Sequence, residues 1–120
     1  MEYNLKHYAY IGDCVWELFI RKIAIKKTKL QTKMHEYSTS FVCAKKQSEI
    51  VNLILDKLNP EELALQKRGR NLKITINKKN NPKIHSLATS FEVLIGFWYL
   101  EDKKRLDEIL SYIESDIINL

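Results

Sequence analysis

At 120 residues the chain has the length of one domain and can bury something like two-thirds of the surface its unfolded form exposes. Lys and Arg number 20 against 15 Asp and Glu, a net charge of +5, which leans toward a polyanionic partner. Two cysteines, Cys14 and Cys43, are too few for a disulfide framework or a zinc site. No apolar run approaches the roughly 20 residues of a membrane span, and the N-terminus carries no signal-peptide pattern. No membrane partner is expected, and the cytosol, or the matrix of a bacterium-derived organelle, fits.

The pattern predicts a first helix from about Leu5 to Ile25, holding the stretch AYIGDCVWELFIR from Ala9 to Arg21. Ile11, Val15, Leu18 and Phe19 recur at helical spacing and are expected to form its core-facing stripe. Asp13 and Glu17, four residues apart, project from another face. Gly12 costs a helix about 1 kcal/mol relative to alanine, and such a cost usually accompanies close approach of another backbone or a ligand. An acid beside a glycine in an apolar helix is therefore a candidate site. Cys14, inside the same helix, is expected to be buried and reduced.

Lys26 to Gln31 is a basic linker, after which Thr32 can cap a second helix to about Val42, with Tyr37 and Phe41 inward. A third helix is expected from about Cys43 to Leu58, its stripe formed by Ile50, Leu53, Ile54 and Leu58. Asn59-Pro60-Glu61-Glu62 is a strong helix start, opening a fourth that ends near Gly69 or Asn71. Leu72 to Pro82 reads as a basic loop in which Lys73 to Ile76 can extend, but one strand without a partner makes no sheet. A fifth helix from about Ile84 to Leu100 is apolar on most sides, as central helices are, and Glu92 interrupts it. Asp102 caps a last helix carrying Leu106, Ile109, Leu110, Ile113 and Ile117. There is no repeat, low-complexity segment or domain boundary, so the expectation is all-α, one domain over 1–120.

Charge is polarised along the chain. Arg21, Lys22, Lys26, Lys27, Lys29 and Lys33 form one acid-free run; Lys67, Arg68, Arg70, Lys73, Lys78, Lys79 and Lys83 form another. A helix dipole accounts for cations at a C-terminus, hence for Arg68 and Arg70. It does not account for a charge that continues through the loop, so Arg68, Arg70, Asn71, Lys73, Lys78 and Lys79 are read as contacts to nucleic-acid phosphates. No aromatics interleave, which favours backbone and shape recognition of a duplex over base stacking. Asp13 and Glu92 sit on the two most apolar helices, and packing those side by side would bring the carboxylates together. Buried acids are normally paired or bound to a metal. Two carboxylates without a nearby cation suit Mg²⁺; the other reading is an acid hydrogen-bonded to a neighbouring helix.

Tyr10-Ile11-Gly12-Asp13-Cys14-Val15-Trp16-Glu17-Leu18 resembles the first conserved box of ribonuclease III catalytic domains, F-L-G-D-A-V-L-E-L. The segment from Phe91 to Leu100, FEVLIGFWYL, resembles the second, F-E-A-L-I-G-A-x-Y-L. With Val42-Cys43-Ala44-Lys45-Lys46-Gln47 and Lys67-Arg68-Gly69-Arg70-Asn71-Leu72-Lys73 between them, the chain is most similar to the Mini-III ribonucleases, which lack a double-stranded-RNA-binding domain. The resemblance implies the ribonuclease III helical bundle and a Mg²⁺-dependent endoribonuclease that cuts double-stranded RNA as a homodimer. It also implies maturation of large-subunit (23S-type) ribosomal RNA precursor, with ribosomal protein or the pre-ribosome as a further partner. Carried over by position, Asp13 and Glu92 match the metal-binding catalytic acids. Ala9 and Thr89 stand where the larger family has two further acids, leaving open whether Thr89 or Glu17 assists. Tyr10 falls where the family places an aromatic plug into the partner subunit. The alternatives are a catalytically inactive ribonuclease III-like RNA-binding or ribosome-associated module, and a helical DNA-binding or adaptor protein.

Overall fold

The computed structural model describes residues 1–72 and 81–119, and these form six α-helices with no strand among them. They are α1 (Leu5–Lys27), α2 (Gln31–Val42), α3 (Ala44–Ile54), α4 (Pro60–Arg70), α5 (Pro82–Glu101) and α6 (Lys103–Ile113). A 3-10 turn, Leu55–Lys57, extends α3, and a π turn, Glu114–Ile118, extends α6. The expected extension at Lys73 to Ile76 lies outside the described residues.

The helix starts follow local hydrogen bonding. The Asn59 side chain accepts from the Glu62 amide at 2.8 Å while Glu62 accepts from the Asn59 amide at 2.9 Å, a complete capping box with Pro60 at the first position. Asp102 caps α6 as expected, accepting from the Arg105 amide at 3.2 Å. Asn4 and Asn81 cap α1 and α5 in the same way, and Asn81 starts α5 at Pro82, two residues before Ile84. Thr32 is not a cap. Instead the Thr28 hydroxyl accepts from the Leu30 amide at 3.1 Å, closing the linker turn so that α2 begins at Gln31. At the α2–α3 corner the buried Gln47 side chain donates to the Val42 carbonyl at 3.1 Å.

Helix α5 is central, as its apolar circumference predicts, and packs against α1, α3, α4 and α6. Phe91, Val93, Leu94 and Ile95 are fully enclosed. The face that α1 turns toward the core differs from the expected one. Tyr8, Gly12, Trp16, Ile20 and Ala24 are buried at a four-residue step, whereas Ile11, Val15 and Phe19 are half-buried and Leu18 is 60 % exposed. Two causes fix this rotation. Gly12 must face α5, which touches its backbone, and the Trp16 indole N–H reaches an acceptor at the Phe41 carbonyl, 2.9 Å away. Cys14, two residues past Gly12 and so about 200° around the helix, is exposed rather than buried. On α3, Leu53 likewise points outward, and Gln47, Ile50, Val51 and Ile54 make the inner face.

Candidate functional site

The site is built on the crossing of α1 and α5. A Cβ added to Gly12 would lie 1.8 Å from the Glu92 carbonyl oxygen and 2.9 Å from the Gly96 nitrogen. One added to Gly96 would lie 1.8 Å from the Tyr8 carbonyl oxygen and 2.9 Å from the Gly12 nitrogen. Each glycine is thus the socket for the other helix's backbone, the close approach that a glycine in a helix permits. The crossing is closed on one side by the Tyr8 hydroxyl donating to Glu101. On the other, Phe91 stands edge-on to Trp16, with ring centroids 4.8 Å apart.

This crossing brings Asp13 and Glu92 together, as the sequence reading requires. Asp13 follows Gly12 and is exposed, while Glu92, whose carbonyl caps Gly12, is half-buried. Burial first, then a hydrogen bond with Asp13 and the Asp13 charge, push the Glu92 carboxyl from its ordinary 4.5 up to about 8. Among the described residues neither acid forms an ion pair with Lys, Arg or His. Two adjacent carboxylates with no cation need a proton between them or a hard cation over them, and this oxygen donor set fits a divalent ion of the Mg²⁺ kind. Among the described residues no third His, Cys, Asp or Glu completes a metal-binding group. Ala9 is buried and offers no ligand; Thr89, one turn before Glu92, is 3 % exposed. Glu17 is held by Arg21 at 3.4 Å and lines a groove between α1 and α2 with His35, Ser38 and Thr39.

The basic end of α4 is fastened to the same stretch of α5. Gly69 is buried, and a Cβ there would lie 3.0 Å from Ser90 Cα and 3.4 Å from Val93 Cβ. Gln66 donates to the Ser90 hydroxyl at 3.1 Å. Arg68, Arg70 and Asn71 are exposed, and neither arginine forms an ion pair among the described residues. Lys73, Lys78 and Lys79 lie outside the described residues. Tyr10, three residues before Asp13, is 81 % exposed and edges a shallow hollow lined by Tyr3, His7, Ile11 and Leu100.

One polar centre that was not legible in the sequence ties α4 to α5 and α6. Glu62 accepts from the Trp98 indole at 2.8 Å and from two Arg105 nitrogens at 2.9 Å each, besides the Asn59 amide. Burial raises this carboxyl, but Arg105, Asn59 and Trp98 more than offset that and hold it below the usual range. A hint in the sequence was a tryptophan N–H inside an apolar helix, which needs an acceptor.

A family model described as Ribonuclease III domain matches residues 6–103. A Mini-ribonuclease 3 of Clostridium tetani is 41 % identical over 109 residues, spanning 88 % of this chain and 72 % of that relative. A Mini-ribonuclease 3 of Synechocystis is 34 % identical over 106 residues, spanning 88 % of this chain and 74 % of the relative. A crystal structure of a Fusobacterium nucleatum protein superposes with a TM-score of 0.82 at 28 % identity, covering 95 % of this chain and 93 % of its own.

Proposed function

The chain belongs to the ribonuclease III family and is an endoribonuclease, and from that premise we propose that it cuts both strands of double-stranded RNA as a homodimer, with Mg²⁺ held by Asp13 and Glu92. The pairing of these two acids across the Gly12–Gly96 crossing carries the reading, because among the described residues neither acid is paired with a Lys, Arg or His side chain. A divalent ion bound there would neutralise the scissile phosphodiester and lower the pKa of an attacking water. Asp13 presents its carboxylate to solvent, where an RNA strand can approach, and Glu92 is fixed behind it by the helix seam. Arg68, Arg70 and Asn71, with Lys73, Lys78 and Lys79 beyond them in sequence, are read as contacts to RNA phosphates that set position rather than sequence. Exposed Tyr10 supports the two-fold partner contact. Residues 1–120 are read as one catalytic domain.

The proposed substrate is a large-subunit (23S-type) ribosomal RNA precursor, met in the bacterial cytoplasm alone or with a ribosomal protein or pre-ribosome. The names of the Clostridium tetani and Synechocystis relatives support the enzyme class. No helix among the described residues is long and apolar enough to cross a membrane.

The test is incubation of the purified chain with structured RNA, with and without Mg²⁺. Discrete products that need the metal are expected, and Asp13→Asn or Glu92→Gln should abolish them while leaving helix content and RNA binding largely intact. RNA binding without products in the wild type would instead indicate the catalytically inactive RNA-binding module. Substantial cleavage by either variant would remove the metal-site assignment.

A further inference from the structure

We propose that Gly12 and Gly96 are positioning residues of the acid pair: their missing side chains hold α1 and α5 at the one separation at which Asp13 and Glu92 can share a cation. The inference rests on the metal reading above. The seam is closed by backbone, so it has no soft side chain to absorb an added atom. A Cβ at either glycine would meet a carbonyl oxygen of the facing helix at 1.8 Å, and real Cβ contacts begin near 3.0 Å. An alanine therefore forces the two helices apart by more than 1 Å, at the residue beside Asp13 or one turn from Glu92. Mg²⁺–oxygen bonds are about 2.0–2.1 Å in near-ideal octahedral geometry, which tolerates tenths of an ångström. The helices are also held on both sides of the crossing, by Tyr8 with Glu101 and by Trp16 with Phe91, so a forced displacement is concentrated between those ties. By contrast, a Cβ added to Gly69 would lie 3.0–3.4 Å from Ser90 and Val93 on a different face of α5, a tight contact that a shift of a few tenths of an ångström relieves.

The experiment uses the full chain and Mn²⁺ as the probe, with binding read by electron paramagnetic resonance below the melting temperature of each variant. Gly12→Ala and Gly96→Ala should each weaken Mn²⁺ binding at least tenfold and lower kcat about a hundredfold, the scale expected for a 1 Å misplacement. KM for RNA should stay within about twofold. Ile20→Ala, fully buried on the same helix but two turns from the acids, is the control for destabilisation. It should lower thermal stability and leave Mn²⁺ affinity unchanged. Folded glycine variants that bind Mn²⁺ like the wild type would overturn the inference, as would an equal loss in Ile20→Ala. If neither glycine variant folds, hydrogen exchange on the wild type decides. Mn²⁺ should slow exchange of the α1 and α5 amides around the crossing, and no change there would overturn it. Asp13→Asn separates the two levels. If that variant keeps Mn²⁺ affinity, the metal reading fails; if it loses affinity while the glycine variants keep it, only the positioning role fails.

Discussion

Glu92 carries an energetic cost at the residue scale that can be read as a pH dependence. Its carboxyl titrates near 8 in the folded chain, raised by burial and then by Asp13, against 4.5 when exposed. Between those values the folded chain binds a proton that the unfolded chain has released. Stability therefore falls as pH rises through this window in the metal-free protein. Glu92→Gln removes the titration. In EDTA, the wild-type melting temperature should fall between pH 5 and pH 8 relative to the variant, and the variant should melt higher at pH 8. Parallel curves for the two proteins would show that Glu92 ionises without penalty. That the acids could meet was legible from their places on the two most apolar helices; that Asp13 stands exposed and Glu92 half-buried was not, because it depends on the rotation of α1. Gly12 was legible because its cost in a helix points to a close approach. Gly96 was not, because a second glycine acquires meaning only once the facing helix is known.

At the scale of elements, α4 joins the candidate site to the basic surface. Its start was legible to the residue, since Asn59, Pro60 and Glu62 form a cap from local bonds alone. The other partners of Glu62 were not legible, because Trp98 and Arg105 come from α5 and α6. Glu62 fixes the first turn of α4 and Gly69 the last against α5, so Arg68 and Arg70 emerge at a set position relative to the turn bearing Glu92. Their exposure without ion pairs among the described residues leaves them available to phosphates. Each phosphate contact contributes something under one unit to the log–log salt dependence of binding. Arg68→Gln with Arg70→Gln should therefore flatten the slope by up to about two units, equally for RNA duplexes of different sequence. Binding titrations across a salt series check this, and an unchanged slope would place the duplex elsewhere.

At the scale of the whole molecule, the proposed cutting of both strands asks for two sites facing one duplex. The all-α class and the centrality of α5 were legible from periodicity, but the rotation of α1 was not. The missed rotation is informative here. It leaves Tyr10, Cys14 and Leu18 outside at a four-residue step, with Ile25 exposed further along the same helix. Such an apolar line on a surface helix is what an isologous contact uses, since a two-fold axis sets the same line against itself. Two copies would present two Asp13–Glu92 pairs, each aimed at one strand. Tyr10 precedes Asp13 by less than one turn, so seating its ring in the partner would tie dimer formation to site geometry. Burying that ring would contribute about 2–3 kcal/mol on each side. Tyr10→Ala should then weaken the dimer in sedimentation at micromolar concentration and reduce double-strand cleavage in parallel, with helix content unchanged because the ring is 81 % exposed within its own subunit. A wild type that sediments as a monomer while cutting both strands would end the two-fold reading and require one acid pair to serve both strands in turn.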